Sequence, residues 1–196
     1  ITFDMGGTSC DIALVRQGRP MEAPGGMIAG HEVGLPMLDI HTIGAGGGTI
    51  AWVDSGGALH VGPRSAGADP GPACYGRGGE EPTVTDANLV LGYLDPCGRL
   101  GGELTLQPER AARVIAERVA RPLGLSVERA ALGILELVDA HMQEGIRVVS
   151  TMRGYDAREF ALVAFGGAGP LHATRVAAAA GIPIVLVPAR PGVTSA

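Results

Sequence analysis

The sequence contains no lysine: all 15 of its basic side chains are arginine. That excludes a phosphate loop of the GxxxxGK[ST] type, a Schiff-base lysine and a lysine general base within this chain. Aromatic residues make up only 4% of the chain and the net charge is −5. A nucleic-acid surface needs basic patches and stacking rings, so no nucleic-acid partner is expected. Cysteine is sparse. Cys10, Cys74 and Cys97 form an odd set with no CxxC spacing, which fits reduced thiols in a cytoplasmic protein rather than a disulfide frame or a zinc knuckle. No uninterrupted apolar run approaches the roughly 18 residues of a membrane span. The opening Ile-Thr-Phe-Asp lacks the charged-then-apolar pattern of a leader.

Glycine and proline, in contrast, are abundant. The 32 glycines and 14 prolines are too many for a helical bundle and imply many turns and close backbone approaches. With 46% hydrophobic residues in 196, the chain can bury one core, in one or two lobes. It starts inside a strand and stops just after Val-Thr-Ser-Ala, a pattern expected of a piece of a longer polypeptide.

Three stretches follow one another. Residues 1 to about 62 read as β. Their candidate strands are Ile1–Phe3, Ile12–Val15, Met37–Ile43 and Thr49–Val53, with a turn at Gln17–Pro20 and a Gly44–Gly48 loop. Residues 62 to about 106 are rich in glycine and proline and read as an ordered, irregular wrap with a short helix over Asp86–Leu94. Residues 108 to 196 read as helix, then strand–helix–strand. Pro108 suits the start of a helix to Ala120, and Ser126 caps a long helix ending at Gly154. Strand Phe160–Phe165, helix Leu171–Ala180 and strand Ile182–Val187 complete a βαβ unit with parallel strands.

The turn in that unit, Gly167-Ala168-Gly169-Pro170-Leu171-His172, is nearly GxGxxG. A dinucleotide site also needs an acidic residue about 20 positions on, and the chain has no Asp or Glu after Glu159. What survives is the physical core of the motif: small residues at a strand-to-helix turn let a flat or anionic ligand approach backbone amides. Near the start, Asp4-Met5-Gly6-Gly7-Thr8 sits between two apolar strands. Backbone N–H groups at such a tip can cradle a phosphate chain, and Thr8 adds a hydroxyl. Asp4 then makes sense if Mg²⁺ and its waters lie between carboxylate and phosphate. Locally, a hairpin whose Asp caps the turn explains the same residues. A phosphate hairpin early and a glycine-rich nucleoside turn late is the pattern of the superfamily that contains actin, sugar kinases and the heat-shock-chaperone ATPases.

The chain closely resembles the hydantoinase A and 5-oxoprolinase family, which includes subunits of acetone and acetophenone carboxylases. The resemblance lies in "FDMGGTSCDIAL", "LDIHTIGAGGGTIAWVD", "VGPRSAGADPGPACYGRGG", "PTVTDANLVLGYL", "IRVVSTMRGYD", "FALVAFGGAGPLHA" and "IPIVLVPARPGVTSA", which span almost the whole chain in the family's order. It implies an α/β fold: an actin-like (ribonuclease H-like) ATPase lobe with a mixed sheet, a long helix and a glycine-rich irregular insertion. Residues 1–196 would be the second lobe, with an upstream lobe and a downstream region lying outside them.

The implied cofactors are ATP and Mg²⁺. The implied activity is ATP-dependent opening of a cyclic amide (hydantoin, 5-oxoproline or another lactam) by carbonyl phosphorylation. The alternatives are a ketone carboxylase subunit and a nucleotide-gated binding module without substrate chemistry. A hydantoinase B-like partner subunit or domain is also implied. Carried over, Asp4, Gly6, Gly7 and Thr8 look like the second phosphate motif, with Asp4 as catalytic residue and Mg²⁺ holder through water. Gly166, Gly167, Ala168 and Gly169 look like the adenosine motif. The Asp39–Thr49 segment falls where the superfamily has another nucleotide-facing turn, with Gly46 and Gly47 as its contacts. Cys10 stands where Thr is more usual, and His141 where Asn is expected.

Other polar residues carry weaker signals. Asp39 and His41, at i and i+2, fall on one face and read as a metal or acid/base pair or as a polar pair at a loop mouth. His172 reads as structural and His141 as a core or interface histidine. Asp86, Thr85 and Asn88 read as a helix N-cap cluster. Cys74 has no local His or Lys to activate it as a nucleophile.

Overall fold

A computed structural model describes residues 1–97, 99–102 and 104–194; the last two residues of the final family-like stretch, Ser195 and Ala196, lie outside them. The centre is a five-stranded mixed sheet. Strands β1 (Thr2–Met5), β2 (Cys10–Ala13) and β3 (Ile40–Ile43) run antiparallel to one another in turn. A two-stranded ribbon follows, made of β4 (Thr49–Val53) and β5 (Leu59–Ser65). Three helices come next: α1 (Val84–Val90), α2 (Pro108–Ile115) and α3 (Val127–Val149). The chain returns to the sheet as β6 (Ala161–Phe165), α4 (Gly169–Ala180) and β7 (Ile184–Leu186). The sheet order is β7-β6-β1-β2-β3, with β1, β6 and β7 parallel. An antiparallel triplet extended by a βαβ unit is the plan of the ribonuclease H-like lobe.

Alternation along the strands decides the layers. Phe3, Met5, Cys10, Ile12, Leu162 and Ala164 point to one face and are fully buried. They meet Ile134, Leu135, Val138, Met142 and Ile146 of α3 and Ala173 and Val176 of α4 in a single core. Ser126 caps α3 by accepting from the Arg129 N–H at 3.2 Å. Gly145 lets α3 lie close on the sheet, since a Cβ there would stand 2.6 Å from Ile12 Cδ1. The helix closes where Ser150 Oγ donates to the Ile146 carbonyl, followed by a tight turn and Gly154 at φ 83°. On the other face of the sheet, Asp4, Asp11, Ile40, Ile184 and Leu186 are half-buried or exposed, and neither α3 nor α4 packs on it.

Elements follow the sequence reading with instructive differences. Thr49–Val53 forms as expected, and the long helix stops five residues before Gly154, its tail tightening into a 3₁₀ turn. The first helix of the third stretch passes through a π turn at Ala116–Ala120 and continues to Leu123. The segment before β3 forms short ribbons, including Gly26–Ile28 with His31–Val33, which no periodicity announced. His141 is exposed, so it is not a core histidine: the buried stripe of α3 passes through Val138 and Met142 instead.

Candidate functional site

The C-terminal ends of parallel β1 and β6 open onto a cleft of about 480 Å³. In open α/β sheets such a crevice is where ligands bind. Its glycine end is lined by Gly6, Gly7, Gly47, Gly167 and Ala168. Its apolar end is lined by Tyr75, Leu94, Leu100, Leu171 and Val193, with Thr85 and Asn88 between.

Four segments far apart in sequence are stitched into this wall. The Gly47 N–H donates to the Gly6 carbonyl at 3.0 Å and the Gly48 N–H to Gly7 at 2.6 Å. Thr85 donates its N–H and its hydroxyl to the Gly47 carbonyl, both at 2.8 Å. The Ala168 N–H reaches the Met5 carbonyl at 2.9 Å. The Gly6–Gly7 hairpin, the loop before β4, the start of α1 and the turn before α4 are therefore one hydrogen-bonded unit. The positive end of the α4 dipole faces the cleft at Ala168, which favours an anion there.

The glycines serve two purposes. A Cβ on Gly6, Gly7 or Gly167 would meet nothing within 4 Å, so these residues leave space for whatever fills the cleft. Gly46 and Gly166 are needed by the fold. A Cβ on Gly46 would lie 2.5 Å from the Gly7 carbonyl carbon, and Gly166, at φ 81°, would meet the Met5 carbonyl oxygen and Asp4 Oδ1. Gly169 opens α4 against Phe3. Of the residues proposed from sequence, Gly6, Gly7, Gly47, Gly167 and Ala168 line the cleft, while Gly46, Gly166 and Gly169 stand behind it. Asp4 sits at the end of β1 on the open sheet face, opposite Asp11 in register, with Thr42 Oγ donating to the Asp11 carboxylate. Thr8 lies exposed at the hairpin tip. Among the described residues no group of three or more His, Cys, Asp or Glu side chains forms a metal cage.

A buried polar relay backs the cleft. Asn88 Nδ2 donates to the Val84 carbonyl at 3.1 Å and stands 3.1 Å from His172 Nε2. A carbonyl only accepts, so this bond fixes which way the amide is turned. The second Nδ2 proton then goes to His172 Nε2, which leaves Nδ1–H to donate to Asp139 Oδ1 at 2.7 Å. Arg175 holds the other Asp139 oxygen at 2.6 Å and lies over the Tyr93 ring. Asn88 and His172 are both fully buried. Asn88 Oδ1 has no partner, a condition that costs about 1–3 kcal/mol in a folded protein.

The remaining candidates resolve into structure. The Asp86 carboxylate, buried, accepts from Cys74 N–H at 2.8 Å, Thr83 N–H at 2.9 Å, Thr83 Oγ at 2.8 Å and Ala73 N–H at 3.3 Å. It completes a capping box on α1 and ties the irregular wrap to that helix. Burial, with Asp86 beside it, pushes the Cys74 thiol far up, and burial with Asp11 and Asp4 does the same to Cys10, so neither is a nucleophile. Asp39 pairs with Arg153, while His41 lies against α3 at Gly145; they do not form an acid/base pair. Thr85 and Asn88 were visible only as cap residues, and Asp139 carried no signal, because its role depends on how α3 packs against α4.

The family model for hydantoinase/oxoprolinase proteins matches residues 1–196, the whole length of the chain. The chain belongs to the hydantoinase/oxoprolinase family. It is 53% identical to the caprolactamase subunit alpha of Pseudomonas jessenii over 96% of its own length and 27% of that subunit's. The crystal structure of the ATP-dependent caprolactamase from the same organism superposes with a TM-score of 0.91 at 52% identity, covering 97% of this chain and 28% of that one. A nucleotide-free structure of acetone carboxylase, from work on ATP-dependent acetone carboxylation, gives a TM-score of 0.89 at 36% identity over 97% and 27% of the two chains. This hydantoinase/oxoprolinase chain thus spans little more than a quarter of the length of these relatives. Its fold is the actin-like, ribonuclease H-like α/β lobe, and the caprolactamase relative is named as a subunit. Among the described residues no helix is long and apolar enough to cross a membrane.

Proposed function

We propose that residues 1–196 form one lobe, the second, of a two-lobed ATP-dependent enzyme that opens a cyclic amide. The observation that carries the reading is the cleft at the ends of β1 and β6, which is lined both by Gly6 and Gly7 of the hairpin and by Gly167 and Ala168 of the strand-to-helix turn, with open space where a Cβ on Gly6, Gly7 or Gly167 would stand. The glycine end suits a phosphate chain, which needs backbone amides and a helix dipole rather than side chains. The apolar end suits a nucleoside. The ATP dependence of caprolactamase, at 52% identity, supports ATP as the ligand.

In this reading Asp4, with Asp11 beside it, would hold Mg²⁺ through water. Two carboxylates without a cage fit an ion that takes its other ligands from phosphate and solvent. When bound, the ion neutralises charge on the transferring phosphoryl group. The chain's own residues position the phosphates at Gly6, Gly7 and Thr8, fix the nucleoside between Gly167, Ala168 and the apolar end, and keep water from it. Transfer of the γ-phosphoryl group to the amide oxygen converts a poor electrophile into one that water attacks. The likeness to acetone carboxylase supports a second reading, in which the activated carbonyl is a ketone that is carboxylated.

The test is ATP hydrolysis by the full-length protein with any hydantoinase B-like partner subunit. Turnover that rises on adding a lactam or hydantoin, with stoichiometric ring opening, is the expected result. A rise only with ketone and bicarbonate selects the second reading. Turnover indifferent to all of them makes the lobe part of a nucleotide-gated binding module and overturns both.

A further inference from the structure

The geometry points to Asn88 as the residue that reads the nucleoside: its Oδ1 accepts a hydrogen bond from an N–H or O–H donor of the bound nucleotide. Asp139 and His172 are the positioning residues that hold the amide in that orientation. The inference rests on the nucleotide reading of the cleft and adds which residue discriminates.

Three observations converge on it. Asn88 lines the cleft together with Thr85, Leu94, Leu171 and Val193, so it brings an uncharged amide to a largely apolar part of the wall. Both amide protons are committed inward, to the Val84 carbonyl and to His172 Nε2. The acceptor that remains, Oδ1, is buried and has no donor from the protein, in a residue only 1% exposed.

The relay behind Asn88 is built for one orientation. If the amide turned over, Oδ1 would face the Val84 carbonyl, acceptor against acceptor. In the neutral ring, Nδ1–H given to Asp139 leaves Nε2 as the acceptor, which matches the Asn88 NH₂ group on that side. Arg175 fixes Asp139 from the far side. Three side chains thus hold one amide so that its oxygen stays an acceptor, and the structure supplies no donor for it. Adenosine offers three: the 6-amino group and the 2′- and 3′-hydroxyls.

The experiment is calorimetric titration of the full-length protein with ATP, purine riboside triphosphate, 2′-deoxy-ATP and 3′-deoxy-ATP, each analogue lacking one donor. The wild-type protein is expected to bind one analogue about tenfold or more weaker than ATP, the loss typical of an unmet buried acceptor. Asn88→Leu should weaken ATP by a similar factor and bind ATP and that analogue equally, because the two losses are one interaction. Asn88→Ser, smaller and less disruptive, should also lose the discrimination and serves if the leucine variant does not fold. Asp139→Asn should lower the ratio between ATP and that analogue, which a role in stability alone would leave unchanged. Equal affinity of the wild-type protein for all four nucleotides overturns the proposal without any variant. Variants that bind more weakly but keep the wild-type ratio also overturn it. A wild-type protein that binds none of the four overturns the nucleotide reading itself, a separate outcome.

Discussion

Gly166 and Gly167 are neighbours in one turn, yet they serve different ends. Gly166 sits at φ 81° with the Met5 carbonyl oxygen and Asp4 Oδ1 in the place of a Cβ, while Gly167 faces open space. Gly166→Ala should therefore lower stability by about 2 kcal/mol or more, from backbone strain and overlap, read as a fall in denaturation midpoint. Gly167→Val should leave the midpoint close to wild type and weaken ATP binding in the full-length protein about tenfold or more. Unchanged affinity would make the turn purely structural. Asp4→Asn separates the same two roles at the hairpin. If the carboxylate holds Mg²⁺ waters, turnover of the full-length enzyme falls by orders of magnitude with the melting temperature unchanged, whereas normal turnover removes Asp4 from the mechanism. Thiol labelling gives a further check at this scale. Cys97 is exposed, whereas Cys10 and Cys74 are buried with thiols held protonated well above neutral pH. One equivalent of a thiol reagent should react in the native protein and three after unfolding.

The element that decides the shape of the cleft wall is α1, a helix of seven residues. Its length gives it little stability of its own, and it is held by what its first turn binds. Thr83 and Asp86 cap it reciprocally, and Asp86 reaches beyond the helix to the amides of Ala73 and Cys74. Thr85 on the same turn ties the helix to Gly47. Asp86→Ala would leave several buried donors unmet and should cost about 3 kcal/mol or more. The loss should appear first as proteolytic cleavage within residues 66–82, before global unfolding. Cleavage spread evenly over the chain would mean that the wrap is held by something other than this carboxylate.

Among the described residues, α3 and α4 cover one face of the sheet and leave the other open. Ile40, Ile184 and Leu186 are 50%, 53% and 51% exposed on the open side, and Asp4 and Asp11 lie among them. The 196-residue chain buries a continuous core and should fold by itself. It should bind ATP weakly and not turn it over, because catalysis needs the γ-phosphate, metal and acceptor held together by both lobes. The uncovered apolar strip should drive self-association. Sedimentation is expected to show concentration-dependent oligomers that Ile184→Glu with Leu186→Glu returns to monomer while the circular dichroism spectrum stays the same. Substrate-dependent turnover by the isolated chain would overturn its assignment as half of a cleft.

Local chemistry was enough for part of this. Alternation in Phe3–Asp4–Met5, the cap at Ser126 and the apolar stripe of α3 are properties of neighbouring residues, so strands, helix starts and the buried face could be read directly from the sequence. The glycine turns at 6–7 and 166–169 were legible for the same reason, and the family-like stretches joined them into one fold. The sequence could not say that Gly6 and Gly7 leave space while Gly46 and Gly166 fill a backbone contact, since that depends on which chain crosses them. Nor could it turn Asn88 from a cap residue into the end of a relay. Its partners His172 and Asp139 lie on α4 and α3, more than 50 residues away along the chain. Packing of those helices against one another decided which donors each amide would meet, and only that packing left one buried oxygen without any.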